Sequence, residues 1–592
     1  MKTIIIDTET YPNFFLLAFM ELESGKVASV RLTADTPLND KRVRGNMAAG
    51  CTIGYNSLAY DLPMICAALG GFDNAALKGL SDKLIKSKQP WNVTRAADIV
   101  VPDSWDHIDI MGIAPGQASL KAYAGRLDAP TLQDLPYEPD TVLTPEQMDE
   151  VERYCVNDLR LTALLYQHLK PQIDLRVAMS KQYGIDLRSK GDAQIAEAVL
   201  THELRSAGVV VERPKYPASY TFKYTPPKWI RFNSPELSAV LQAAREAEFT
   251  LDADGAVVMP DSLGQSIEFC GPKYTIGIGG LHSSEESQAI SLGEGEYLSD
   301  FDVVSYYPSI ILGEKYYPEH LGPKFLPVYR SIVERRLTAK REKDMVTADS
   351  LKITINSSFG KFGNKYSNLY SPRLLIQVTL TGQLALLMLI EMIEVTGACV
   401  VSANTDGIVV YSASEAVLDL ARGAVADFEI ISGYDMEETQ YSALYAESVN
   451  NYIAVKHDGT CKSKGAYAKT GISKNPAAPI CSEAVRRYLV DDVDLAETIG
   501  DCQDILQFCT VRRVTGGAVW RGTPLGNTVR WYIGNDVMAE PVRYAKNGNK
   551  VPKSDCAIPL MTVPDEFPVN VNRHHYLHEA EKMLKRLGVK YA

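Results

Sequence analysis

Apolar and polar positions change period several times along the chain. Residues 4–6 and 14–20 form two apolar runs, which predicts two strands at the start, and 145–169 carry apolar residues at helical spacing. The pattern breaks over 213–232, RPKYPASYTFKYTPPKWIRF, where four prolines interrupt alternating basic and aromatic residues. That composition fits a boundary or a packed connector, and its alternation also fits a single-strand stacking platform. A strand-like run is expected around 297–311, followed by charged helix over about 328–345. Apolar residues at 398–401 and 408–410 bracket a short polar turn, the pattern of a β-hairpin, and 576–587 return to helical spacing. No internal repeat of fixed period and no low-complexity tract interrupts this order.

A chain of 592 residues predicts about four domains. No uninterrupted apolar run approaches the ~18 residues of a membrane span, so none is expected. The N-terminus, with three isoleucines ahead of Asp7, does not read as a signal peptide. Ten cysteines are scattered singly without a C-x-x-C pair, which argues for a reducing cytosol and against a zinc ribbon or a disulfide scaffold. The net charge of −12 disfavours a protein that coats nucleic acid, but its distribution is uneven. Residues 321–365 hold ten Lys/Arg against four acids, and 505–592 hold thirteen against seven. Each segment is net +6, enough for a local phosphate-binding surface.

Candidate chemistry falls into two groups. In Asp7-Thr8-Glu9 the alternation of a strand puts both carboxylates on one face, where they repel unless a cation lies between them. Asn56-Ser-Leu-Ala-Tyr60-Asp61 follows, and Tyr154 and Asp158 stand one helical turn apart. Together Asp7, Glu9, Asp61 and Asp158 supply enough oxygen for two Mg²⁺ ions about 3.5–4 Å apart. In the second group, Asp302 ends an apolar run before the polar turn at Ser305. Arg336 and Lys340, and likewise Lys352 and Asn356, are spaced to share a helix face suited to a polyphosphate. Asp406 sits in the turn of the expected hairpin. Two aspartates about a hundred residues apart with a cationic helix between them point to two-metal phosphoryl transfer from a nucleotide.

The first group, in the order D-x-E, N-x-x-x-Y-D, Y-x-x-x-D, resembles the three motifs of the DnaQ-like 3′→5′ exonucleases over about the first 165 residues. The second resembles the family B DNA polymerases. DVVSYYPSII (302–311) is similar to motif A, KITINSSFG (352–360) to motif B, and SANTDG (402–407) to a degenerate motif C. Lys464-Gly-Ala-Tyr467 resembles the K-x-x-Y element of the palm, and the segment with Gly279 and Gly280 resembles the glycine link between the two sites.

The resemblance implies an α/β plus α+β multidomain chain, a ribonuclease-H-like exonuclease domain followed by a right-hand polymerase. The expected boundaries are 1–170 for the exonuclease, 171–295 for a connector and the start of the palm, 296–320 and 364–474 for the palm, 321–363 for the fingers and 475–592 for the thumb. By resemblance Asp7, Glu9, Asp61 and Asp158 hold two exonuclease metals and Tyr154 orients the water or scissile phosphate. Asp302 and Asp406 hold the polymerase metals. Asp300 shares the strand face of Asp302, and the S-x-Y-P run favours Asp302 as the ligand. Ser305, Tyr307, Arg336, Lys340, Lys352, Asn356, Phe359 and Gly360 would bind the incoming nucleotide, with Tyr307 as the gate against a 2′-hydroxyl and Lys352 as proton donor to pyrophosphate. Asn56, Gly279, Gly280, Lys464 and Tyr467 would touch DNA. Arg335, Arg341 and Lys343 read as solvated or generic phosphate contacts, and SLKAYAGRL (119–127) offers Lys121 as a neighbour of the exonuclease site without fixing its register.

Mg²⁺ is the expected cofactor, with Mn²⁺ as a substitute, and primer–template DNA and dNTPs the expected partners. A processivity factor, helicase or single-strand-binding protein is a further candidate, and a cytoplasmic monomer without membrane association is expected. Asn404 and Gly407 replace an aspartate and a serine of motif C, and Phe359 a tyrosine of motif B. Gly277 stands where the glycine link usually has a tyrosine. The exonuclease motif begins at residue 7, which leaves no room for the N-terminal domain of cellular and archaeal members. Only 24 residues separate Ile311 from Arg336 and 43 separate Gly360 from Asn404, too few for the inserts of protein-primed polymerases. The expectation is a compact, phage-type enzyme acting in a bacterial cytosol. An exonuclease with a decayed polymerase module and a non-catalytic nucleic-acid-binding paralogue are the alternatives.

Overall fold

A computed structural model describes residues 2–536 and 538–591. The chain forms two compact units of mixed α/β structure. One contains Met1–Gly191, Thr470–Ile480 and Ile499–Tyr576, the other Asp192–Lys469, Cys481–Thr498 and Leu577–Ala592. Most of the segment expected as a thumb therefore lies with the N-terminal residues.

In the first unit the two expected strands, Lys2–Tyr11 and Phe14–Glu21, pair as an antiparallel hairpin. They belong to a five-stranded sheet in the order Val27–Leu32, Phe14–Glu21, Lys2–Tyr11, Gly50–Gly54, His107–Asp109, with its last two pairings parallel. The long helix Pro145–His168 covers this sheet. Thr144 begins it with a capping box, its hydroxyl accepting from the backbone N–H of Gln147 while Gln147 reaches back. A separate four-stranded sheet, built on the hairpin Thr510–Trp520 and Thr523–Ile533, forms the C-terminal part of the unit.

The second unit is organised around a ten-stranded sheet. Strand Tyr297–Val303 lies at its centre, between Met436–Ser448 and Gly407–Ser412. The run expected as strand through residue 311 is strand only as far as Val303. Ser305 takes a left-handed conformation (φ 50°) and starts helix Tyr306–Gly313, whose first turn accommodates Pro308. The charged helix is two helices, Phe325–Arg341 and Met345–Phe362, packed on each other.

Helix Pro372–Glu394 corrects the expectation that no segment could match a membrane span: it is long and apolar enough to cross one. Thr379, Thr381 and Gln383 interrupt its apolar run, which is why counting unbroken runs misses it. Its apolar window is wholly buried, and it is the central core helix of this unit. Gln377 and Gln383 are satisfied within that core, Gln383 by both the N–H and the carbonyl of Gly277 at 2.8 Å.

The 213–232 segment is a strap with a buried face. Phe222, Tyr224 and Ile230 point into the core, while Lys215, Lys223, Lys228 and Arg231 are exposed. Its aromatics pack on one another and on Phe249 and Tyr370. The packed connector therefore describes its buried face.

Candidate active sites

In the first unit Asp7 and Glu9 project from one face of the central strand, opposite Ala18 and Leu16 of its neighbour. Helix Pro145–His168 lies over that face. Its Cys155 thiol donates to Asp7 Oδ2 at 3.6 Å, and Asp7, Glu9 and Cys155 bring potential ligand atoms within 4.8 Å of one another. One helical turn of the same helix presents Tyr154 and Asp158, which are 6% and 7% exposed. Asp61, the first residue of helix Asp61–Leu69, is 3% exposed and accepts from the Thr8 hydroxyl at 2.6 Å.

Two residues without a sequence-derived role complete the site. Lys121 donates to Asp158, and its ammonium lies 4.4 Å above the Tyr154 ring. Asp109 accepts from the backbone N–H groups of Asn56 (2.9 Å) and Leu58 (3.0 Å), holding the left-handed turn at Asn56 (φ 59°) that leads to Asp61. Asp109 ends the three-residue strand His107–Asp109, too short and too polar to mark it from sequence, and Lys121 lies 37 residues from Asp158.

The carboxylates raise one another's proton affinity. Burial pushes the Asp7 carboxyl well above its ordinary range, and the charges of Asp61, Glu9 and Asp158 push it further. Burial and Asp158 do the same to Glu9. Asp61 is pushed up to about 7 by burial, against the opposing hydrogen bond from Thr8. Burial also raises Asp158, with Lys121 pulling the other way. Tyr154 stays protonated, since burial and the Asp158 charge both disfavour a phenolate.

In the second unit Asp302 and Gly407 face each other across paired strands, and the Asp406 carbonyl accepts from Val303 N–H at 2.8 Å. This places both aspartates at the same end of the sheet, where they line one cleft with Asp300, Asn404, Lys462 and Lys464. Asp406 stands in a two-residue turn after the left-handed Thr405 (φ 56°) and Asn404. Asp300 is already engaged: it accepts from the Tyr441 hydroxyl at 2.7 Å and from Lys462 at 3.2 Å. Asp302 therefore has the freer carboxylate. Burial and the Asp300 charge push it up to about 6. Lys462, two residues before Lys464 on strand Cys461–Lys464, was not singled out from sequence, although strand alternation turns both toward one face.

Gly407 lies directly against Asp302. A Cβ there would stand 2.0 Å from Asp302 Oδ1 and 3.0 Å from the Phe301 carbonyl oxygen. Any side chain would displace the Asp302 carboxylate. The glycine link abuts the same turn, with a Cβ on Gly280 falling 2.9 Å from Thr405 Cγ2, while Gly279 accepts from the Tyr307 hydroxyl. The Tyr307 ring stacks on Phe359, centroids 4.1 Å apart. Tyr306 is a core residue, 5% exposed, bonded to the Gly382 carbonyl.

Arg336 donates to the Ser305 hydroxyl at 3.2 Å, which ties the cationic helix to the turn after Asp302. Lys340, Lys352, Asn356 and Gly360 are exposed on their helices. Arg335 pairs with Glu203, and Arg341 bonds back to its own helix. Tyr467 departs from its expected place. It is 3% exposed, and its hydroxyl donates to Glu447 (3.0 Å) and to the Met583 carbonyl (3.3 Å), so it is a packing residue.

The donors fit divalent cations in both units. Clustered carboxylates offer hard oxygen ligands, and a cation would offset the burial and like-charge repulsion that raise their proton affinity. A pH dependence follows. Asp7, Glu9, Asp61 and Asp302 have folded-state values above the ordinary carboxylate range of about 4. The metal-free native state thus binds more protons than the unfolded chain between about pH 4 and 7, and these groups lower stability as pH rises through that window. The rise in Tm on adding Mg²⁺ is expected to be larger at pH 8 than at pH 5 and to shrink when Asp7 and Glu9 become amides. Scanning calorimetry checks this, and an upshift independent of pH would contradict it.

No protein-family model matches the chain, and no curated protein matches it. Among solved structures it is similar to the family B DNA polymerase of the hyperthermophilic archaeon Pyrobaculum calidifontis. Sequence identity is 14% and the TM-score 0.44, over 100% of this chain and 78% of that one.

Proposed function

We propose that the chain is a template-directed family B DNA polymerase, compact and of phage type, with a 3′→5′ proofreading exonuclease in its first unit. The observation that carries this reading is the pairing of Asp302 with the Asp406 hairpin, walled by the glycine link and by the Tyr307–Phe359 stack. Asp302 and Asp406 would hold Mg²⁺, which when bound lowers the pKa of the primer 3′-OH and neutralises charge on the triphosphate. Arg336, Lys340 and Lys352 would then clamp the triphosphate oxygens, and Asn356 and Gly360 would flank the nascent pair. The Tyr307 ring, held by Gly279 and Phe359, would act as the gate against a 2′-hydroxyl.

In the first unit the strand order, with an antiparallel hairpin and parallel strands beyond it, supports the ribonuclease-H-like reading. Asp7, Glu9, Asp61 and Asp158 would hold the exonuclease cations. Tyr154, kept protonated, can donate to the attacking water or the scissile phosphate, and Lys121 is placed to offset charge beside Asp158.

Gly407 weighs against a decayed polymerase module, because its lack of a side chain leaves Asp302 its position. The wild-type protein is expected to add to a primed template only the dNTP complementary to each template base. Gly407→Ala is expected to lower that rate by about 10- to 100-fold, since a displacement near 1 Å at the reacting centre costs about that much. Addition that ignores the template would overturn the polymerase reading. An unchanged rate in Gly407→Ala would overturn the proposed position of Asp302.

A further inference from the structure

Helix Leu120–Arg126, which carries Lys121, is built into the C-terminal sheet of the same unit. One turn beyond Lys121, a Cβ on Gly125 would lie 2.7 Å from Cγ1 of Val511, well inside ordinary contact. Arg126 then donates to Asn475 Oδ1 (2.7 Å) and the Ile472 carbonyl (2.8 Å). The chain that follows the helix is stitched to that sheet and to the segment just after its last strand. Leu132 N–H donates to the Met561 carbonyl at 2.7 Å and Val563 N–H to the Pro130 carbonyl at 2.8 Å. Arg530, fully buried, spends its guanidinium on the carbonyls of Ala129 (2.9 Å), Pro130 (3.4 Å) and Leu560 (2.9 Å). Asp134 accepts from Asn527 N–H at 2.9 Å.

The helix has little freedom of its own. Ala122, Tyr123 and Ala124 are at most 3% exposed, and the Tyr123 hydroxyl donates to the Pro115 carbonyl at 2.7 Å. Its depth is therefore set by how closely its backbone at Gly125 approaches Val511, and that depth sets where Lys121 meets Asp158 and Tyr154.

We infer that Gly125 and Val511 are positioning residues for the exonuclease site: the C-terminal sheet acts as a backstop that holds Lys121 on Asp158. The inference rests on the exonuclease reading of the first unit. It implies that the sheet placed here governs proofreading rate, whatever else it binds.

The test is a compensating pair in the full-length protein, read as shortening of a single-stranded oligonucleotide. Gly125→Ala replaces a poor helix former with the best one, so the helix should persist. The added methyl forces a retreat of about 1 Å, and kcat for shortening is expected to fall about 10- to 100-fold with KM within about twofold. Adding Val511→Ala removes the opposing methyls and is expected to bring kcat back to within about threefold of wild type, while Val511→Ala alone, which loosens the backstop, lowers kcat by less than Gly125→Ala does. Primer extension should be unchanged in all three variants. An unchanged kcat in Gly125→Ala, or a loss that Val511→Ala leaves unrepaired, would overturn the inference. A wild-type protein that shortens no oligonucleotide would instead remove the exonuclease reading beneath it.

Discussion

Asp302→Asn is expected to reduce primer extension by about 10³-fold or more, roughly 4 kcal/mol of barrier, while leaving primer shortening intact. The substitution is nearly isosteric, so the strand pairing of Asp302 with Gly407 and the turn at Asp406 should survive it. What is lost is one of the two carboxylates read as metal ligands in a cleft that Asp300 also lines. Asp300 is a poor replacement, because Tyr441 and Lys462 already occupy its carboxylate. The same change is expected to stabilise the metal-free protein slightly at neutral pH, since Asp302 is held ionised there against burial and the Asp300 charge. A higher Tm with lost synthesis separates a ligand from a residue that merely holds the fold. Asp300→Asn should show the opposite pattern, with lowered Tm from a buried network left partly unpaired.

The second large effect is the reverse case. Asp7→Asn combined with Glu9→Gln is expected to abolish shortening, again by about 10³-fold or more, and to leave extension near wild type. These side chains share a strand face beside Cys155, and burial pushes both upward, helped by the charges of Asp61 and Asp158 and opposed by Lys121. Removing two like charges relieves that repulsion, so the variant should fold and its response to Mg²⁺ should diminish. A gel of a labelled primer without dNTPs reads the loss directly, and equal loss of extension in the same variant would mean that the two carboxylate groups do not act separately.

Local pattern made the carboxylates of both sites legible. A D-x-E at the end of an apolar run has to present two acids on one face, and apolar pairs around N-T-D-G have to turn. The positions hidden in the sequence were those fixed by distant partners. Lys121 reaches Asp158 across 37 residues, and Arg530 serves carbonyls 400 residues before it. Nothing in the composition of 499–576 points toward the N-terminal residues, because those contacts run through backbone groups that every sequence carries. Tyr467 was misplaced for a related reason: its motif spacing is independent of whether Glu447 and the carbonyl of Met583 take its hydroxyl. The long core helix escaped notice because its buried Gln and Thr side chains break the apolar run while finding partners inside the core.

On the proposed reading one chain carries two separate metal-dependent phosphoryl-transfer sites, one that builds a DNA strand and one that trims it. The most direct test is a 5′-labelled primer annealed to a longer template, incubated with the protein and Mg²⁺, with and without all four dNTPs. Extension to the template end with dNTPs and stepwise shortening without them is the predicted result. Shortening under both conditions, or no change under either from folded protein, would contradict it.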